Sequence, residues 1–175
     1  MLNRLGALFR APPPRPGFPL MSAPMRGDVC TVAYHAELTL ELESIQERLQ
    51  DQFGLVAQDF RHGERKSCLK RLAEFDRALR LYLADEGVRF EAYMRFVLAS
   101  DAESLKLMNR LRARVRGLSH YVHTIVQMDE EGRLKDQGYE NFGAALERVS
   151  AGLKQVFECQ QTLLFPLYRP LSACQ

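Results

Sequence analysis

Between Asp28 and Pro166 the sequence contains no proline. A stretch of that length without the residue that breaks helix interiors favours long helices over a sheet. Cysteine is sparse: Cys30, Cys68, Cys159 and Cys174 are scattered, with no CxxC pair and no Cys/His cluster at zinc-finger spacing. Scattered cysteines of this kind predict reduced thiols and a cytoplasmic location rather than a disulfide framework. No apolar run approaches the roughly 20 residues of a membrane span. The signatures of common catalytic sites are missing as well. There is no G-x-S-x-G, no P-loop and no GxGxxG, and no Ser or Cys has a base placed beside it in the pattern. The expectation is therefore a protein that is not an enzyme. Charge of one sign does not dominate either: 24 Lys and Arg stand against 22 Asp and Glu, a net charge of +2. That balance gives no overall attraction to nucleic acid or to an anionic membrane.

What is present is an ordinary globular composition, 46% hydrophobic and 26% charged over 175 residues, enough for one core. The beginning of the chain departs from it. No acidic residue precedes Asp28, and "APPPRPGFP" is held extended by its prolines. Residues 1–27 read as a flexible, basic, Pro-rich segment. An amphipathic docking or transit segment built on Leu2, Leu5, Leu8 and Phe9 is an alternative, and so is an upstream extension with Met21 or Met25 as the working start. Residues 28–169 form the predicted domain, and 170–175 a C-terminal tail.

Within the domain, apolar residues recur every three to four positions in four blocks. The first helix is expected over 28–60, with the stripe Leu38, Leu42, Ile45, Leu49, Phe53, Val56 and Phe60. "RHGERK" makes the turn, with Ser67 as the N-cap of a second helix over 67–99. Its stripe is Leu69, Leu72, Leu79, Leu83, Phe90, Met94 and Val97. "SDAES" supplies Ser100 or Asp101 as the cap of a third helix over 102–128, striped by Met108, Leu111, Val115, Leu118, Val122 and Ile125. "DEEGRLKDQG" leads to a fourth helix from Tyr139, striped by Phe142, Ala145, Val149, Leu153, Val156, Leu163 and Leu167. Four long helices with short links predict an all-α, up-down-up-down four-helix bundle.

Sites in such bundles are built from inward side chains of facing helices. Three polar residues fall in phase with the stripes: His35 one turn before Leu38, Glu86 between Leu83 and Phe90, and Gln160 between Val156 and Leu163. An interior polar site of His35, Glu86 and Gln160 is the functional reading. A hydrogen-bonded network inside an ordinary core is the plainer one, because a buried glutamate has to be neutralised or bonded. Glu91 and His123 lie on helix flanks, and His120 faces away. The run "NRLRARVRG" puts Arg112 and Arg116 on one helical edge and Arg110 and Arg114 on another, which reads as a solvated face open to an acidic protein partner.

The stretches "YLADEGVRFEAYM" and "VFECQQTLLFPLY" carry a resemblance to the hemerythrin-like four-helix bundles over about residues 28–168. His35 matches the family's first ligand, and Glu91 the acid of its second motif. Gly87 and Val156 stand where histidines would, and Gln160 where an acid would. The resemblance implies a hemerythrin-like bundle and a non-haem di-iron centre that binds or senses oxygen. Such a centre draws on about five to seven oxygen and nitrogen donors, and this chain offers His35, Glu86 or Glu91, and His120 or His123. "GLKQVFECQQTLLFPL" is also similar to the late segment of the bacterial Rsd/AlgQ regulators, which implies binding of a sigma factor. The expectation is a regulatory, protein-interaction module of a bacterial cytoplasm, with a protein partner and no cofactor. Its alternatives are an iron-binding oxygen or redox sensor using His35, Glu86, Glu91 and His123, and a sigma-factor regulator.

Overall fold

The computed structural model describes residues 33–130 and 139–170, and the readings made above for 1–27, for 28–32, for most of the last connection and for 171–175 lie outside them. The described residues hold helices and no strand. The elements are α1 (Leu38–Arg61), α2 (Arg65–Asp85), a π-helical turn (Glu86–Glu91), α3 (Ala92–Val97), α4 (Ala102–Glu130), α5 (Tyr139–Cys159), a second π-helical turn (Gln160–Leu164) and a 3₁₀ turn (Phe165–Leu167). Asp85, Glu86, Glu91 and Ala92 all keep right-handed helical angles, so α2, its π turn and α3 form one continuous rod. The described residues thus form an all-α bundle of four helices.

The apolar stripes form the core. Leu42, Leu49 and Val56 of α1, Leu72 and Leu79 of α2, Val115 and Val122 of α4, and Val149 and Val156 of α5 are all buried in one cluster. Cross-helix pairs show how the rods lie. Asp59 meets Ser67 and Arg71 while Gln46 meets Tyr82. Asp76 meets His123 while Glu91 meets Arg112. These are the pairs of oppositely directed neighbours, α1 beside α2 and α2 beside α4.

Local chemistry sets the ends. Gly63 sits at φ 74, the left-handed conformation that lets the chain turn between α1 and α2. Ser67 is not the N-cap: α2 starts earlier, behind Glu64, and the Ser67 hydroxyl donates back to Asp59 of α1. Together with Arg71 it lowers the Asp59 pKa. Asp101 does cap α4, accepting the Ser104 N–H at 3.0 Å. The first helix begins at Leu38, about three turns later than its sequence reading. The preceding backbone is held elsewhere: Tyr34 stacks on Tyr168 at 5.0 Å, and the His35 N–H donates to the Tyr168 hydroxyl at 3.0 Å. The "LFPLY" ending therefore plugs one end of the bundle. Phe165 packs edge-on to Phe90, and the Tyr93 hydroxyl donates to the Arg169 carbonyl.

Candidate functional site

One polar circuit lies inside this core. Gln46 of α1, Tyr82 of α2, Glu86 at the start of the first π turn and Gln160 at the start of the second are each at most 2% exposed. Gln46 Nε2 donates to the Tyr82 hydroxyl at 2.8 Å and to Gln160 Oε1 at 2.8 Å. The Tyr82 hydroxyl donates to Gln160 Oε1 at 3.2 Å. Gln160 Nε2 donates to Glu86 Oε1 at 2.5 Å, and Gln161 Nε2 supplies the Gln46 carbonyl oxygen at 2.8 Å. Both amides thus use their oxygen and nitrogen ends in fixed senses, which sets their orientation. The circuit joins α1, the second rod and the end of α5.

Its electrostatics follow from burial. Desolvation, reinforced by the nearby Glu91 charge, pushes the Glu86 carboxyl up to about 8, against the opposing pull of Gln160, Arg112 and Tyr82. At neutral pH Glu86 is therefore mainly a neutral acid. Burial also pushes the Tyr82 phenol upward, so it stays protonated and able to donate.

The π turns explain why these residues meet. Five α-helical steps of about 100° would set Glu86 and Glu91 roughly 140° apart, one inward and one on the flank. The wider i→i+5 turn rotates less per residue and brings both inside. Glu91 is 4% exposed rather than on a flank, and Arg112 of α4 reaches it. Arg112 Nε stands 2.8 Å from Glu91 Oε2, yet neither atom has an aligned hydrogen bond, so the contact is an ion pair without a directed donor. Burial raises the Glu91 pKa, while Arg112, Arg116 and Arg95 favour its charged form. The second π turn shifts register in the same way. Leu163 is 48% exposed instead of inward, and Leu164 and Phe165 take the core positions.

Of the residues expected from the sequence, Glu86 and Gln160 come together. His35 does not join them: it is exposed, because the helical phase that pointed it inward does not extend before Leu38. His123 stays on the flank of α4 and belongs to a separate group. Its Nδ1 lies 3.0 Å from Asp76 Oδ2, which Arg80 also contacts at 2.9 Å. Asp76, as a carboxylate, only accepts, so Nδ1 carries the proton. Gln46 and Tyr82 were not singled out in the sequence. Gln46 falls four residues after Leu42 and three before Leu49, a signal that was legible.

The donor set does not fit the di-iron centre that the resemblance implies. Glu86 is bonded to an amide, Glu91 is ion-paired with Arg112, His123 contacts Asp76, and His35 is elsewhere. Among the described residues no three His, Cys, Asp or Glu side chains converge on a metal position. A cavity of about 420 Å³ along α4, lined by Ala102, Leu105, Lys106, Asn109, Arg110 and Ala113, includes none of the circuit.

Arg112→Met would leave Glu91 buried without its cation. The expected loss is about 1–3 kcal/mol at neutral pH, below the value for a fully buried pair because Arg112 is 25% exposed. The loss should be smaller at pH 5 than at neutral pH, because burial raises the Glu91 pKa and a lower pH favours its neutral form. Urea unfolding at the two pH values measures both.

Fold and site together define an all-α bundle with a hydrogen-bonded polar core. Comparison with protein-family models, with curated proteins and with solved structures finds no match to this chain.

Proposed function

We propose that this chain is a non-catalytic regulatory module that works by binding another protein, built on a hemerythrin-like up-down-up-down bundle in a bacterial cytoplasm. One observation supports this reading above the others. The interior position where such a bundle would hold a cofactor is filled by two glutamines, a tyrosine and one glutamate that satisfy each other. A satisfied polar core orders helices against one another and leaves recognition to their outer faces. Among the described residues no helix is long and apolar enough to cross a membrane.

Metal analysis of the purified full-length protein tests the reading. Iron far below one per chain, unchanged by Glu86→Ala or His35→Ala, is the expected result. Stoichiometric iron that disappears in either variant would replace the interaction module with an iron-dependent sensor.

A further inference from the structure

The second rod carries an outward face that the core does not use. Leu81 and Val88, at 70% and 73%, are the most exposed large apolar side chains among the described residues. With the exposed Ala84 they are spaced by three and four residues, so they form one stripe on α2 and its π turn. Single exposed leucines are ordinary, and the border of this stripe is what distinguishes it.

On the side towards α4 the border is cationic. Arg80 reaches the seam through its contact with Asp76, which also holds His123 of α4. Further along the same seam Arg112 contacts Glu91, and Arg116 and Arg95 lie close enough to favour the Glu91 charge. Arg77 stands one turn before Leu81. The acids of this seam, Asp76 and Glu91, are both buried beneath the guanidiniums. What faces outward is therefore arginine, with the counter-charges below. The other border, towards α1, carries Glu74 and Asp85, and Asp85 is engaged by Arg89.

We propose that this face docks an acidic amphipathic helix of a partner protein. Its apolar stripe would rest on Leu81, Ala84 and Val88, and its carboxylates on Arg77, Arg80 and Arg116. The inference rests on the interaction-module reading and gives that partner its chemistry. The two unlike borders favour a helix over other anionic partners. A helix about 10 Å wide lies against the stripe and one border. A flat anionic membrane would also meet the net negative border towards α1, where Glu74 is joined by Asp85 and Glu41 sharing the single Arg89, and be repelled. Nucleic acid gains little from an apolar stripe at the centre of its footprint.

The test uses the full chain and a fluorescein-labelled helical peptide of about 20 residues, with leucines along one face and glutamates along one flank. A lysine-flanked counterpart, a short DNA duplex and phosphatidylglycerol vesicles are the comparisons. Saturable binding of the glutamate peptide is expected, about tenfold tighter than that of the lysine peptide. Binding should fall about tenfold in L81S/V88S and in R77E/R116E, with unchanged far-UV circular dichroism, and stay unaltered in L40S/L55S on α1. No binding of the glutamate peptide, equal binding to all variants, or tighter saturable binding to DNA or vesicles would overturn the proposed face. Absence of peptide binding removes this face alone, whereas stoichiometric iron in the same preparation removes the interaction reading beneath it.

Discussion

Glu86→Gln is expected to make the protein more stable at pH 8 than the wild type, and to leave it about equally stable at pH 5. In the folded chain burial holds the Glu86 carboxyl at about 8, against an ordinary value of 4.5. Below 4.5 the group is neutral in both folded and unfolded states, and its contribution is fully present. Between 4.5 and about 8 the folded state keeps a proton that the unfolded state has released, so stability falls as pH rises. The slope for one such proton is at most about 1.4 kcal/mol per pH unit, and the loss is complete above the folded value. Glutamine keeps the acceptor that Gln160 Nε2 needs and carries no charge. Its advantage should therefore grow through this window to on the order of 2–4 kcal/mol near pH 8. Glu91, also raised, gives a slope of the same sign in both proteins, and because its charge helps to raise Glu86 the difference reports Glu86 together with that coupling. Urea unfolding from about pH 5 to 9 measures it. Parallel curves for the two proteins would mean that Glu86 is not held neutral.

The bundle was legible because its stripes obey the α-helical period over most of their length. Leu38 through Val56, Met108 through Ile125 and Ala145 through Val156 point inward as a step of about 100° requires. The pairing of Glu86 with Gln160 followed from the same phase arithmetic. The failures lie where that period stops. His35 was extrapolated through a helix that begins only at Leu38. Glu91 and Leu163 were misplaced because each sits in a π turn, where the rotation per residue changes and an inward residue trades places with a flank. No proline or glycine pattern announces these turns: Gly87 lies in one of them, but the other, QQTLL, contains neither residue. Their cause is tertiary. Each opens with a member of the polar circuit, Glu86 or Gln160, and π turns recur where a helix must aim a particular side chain. The long side chains of Arg112 and Arg80 were also invisible to phase alone. They reach from the rim to Glu91 and Asp76, so a row that reads as a solvated edge holds buried charges in place.

Gln160→Leu should be the costliest single change in the circuit, because Gln160 is the residue that links Gln46 and Tyr82 on one side to Glu86 on the other. Leucine of similar bulk fills the space, so the loss is mainly that of hydrogen bonds. Gln46 Nε2 keeps its bond to Tyr82, but the Tyr82 hydroxyl loses its acceptor and Glu86 loses its amide donor. Each buried group left without a partner costs about 1–3 kcal/mol, for a total on the order of 2–4 kcal/mol and a melting temperature lower by about 10 °C. The alternative, an independent set of weak contacts, predicts something different in a double-mutant cycle. If the circuit is one unit, Glu86→Met added to Gln160→Leu removes both ends of a bond and leaves fewer orphans. The double variant should then lose less than the sum of the single losses, by about 0.5–3 kcal/mol. Tyr82→Phe added to Gln160→Leu should show the same sign, since the hydroxyl stranded by leucine is then absent. Additivity within about 0.5 kcal/mol in both cycles would show that Glu86, Tyr82 and Gln160 act separately. The coupled result would identify the circuit as the element that sets the register of α1, the second rod and the end of α5.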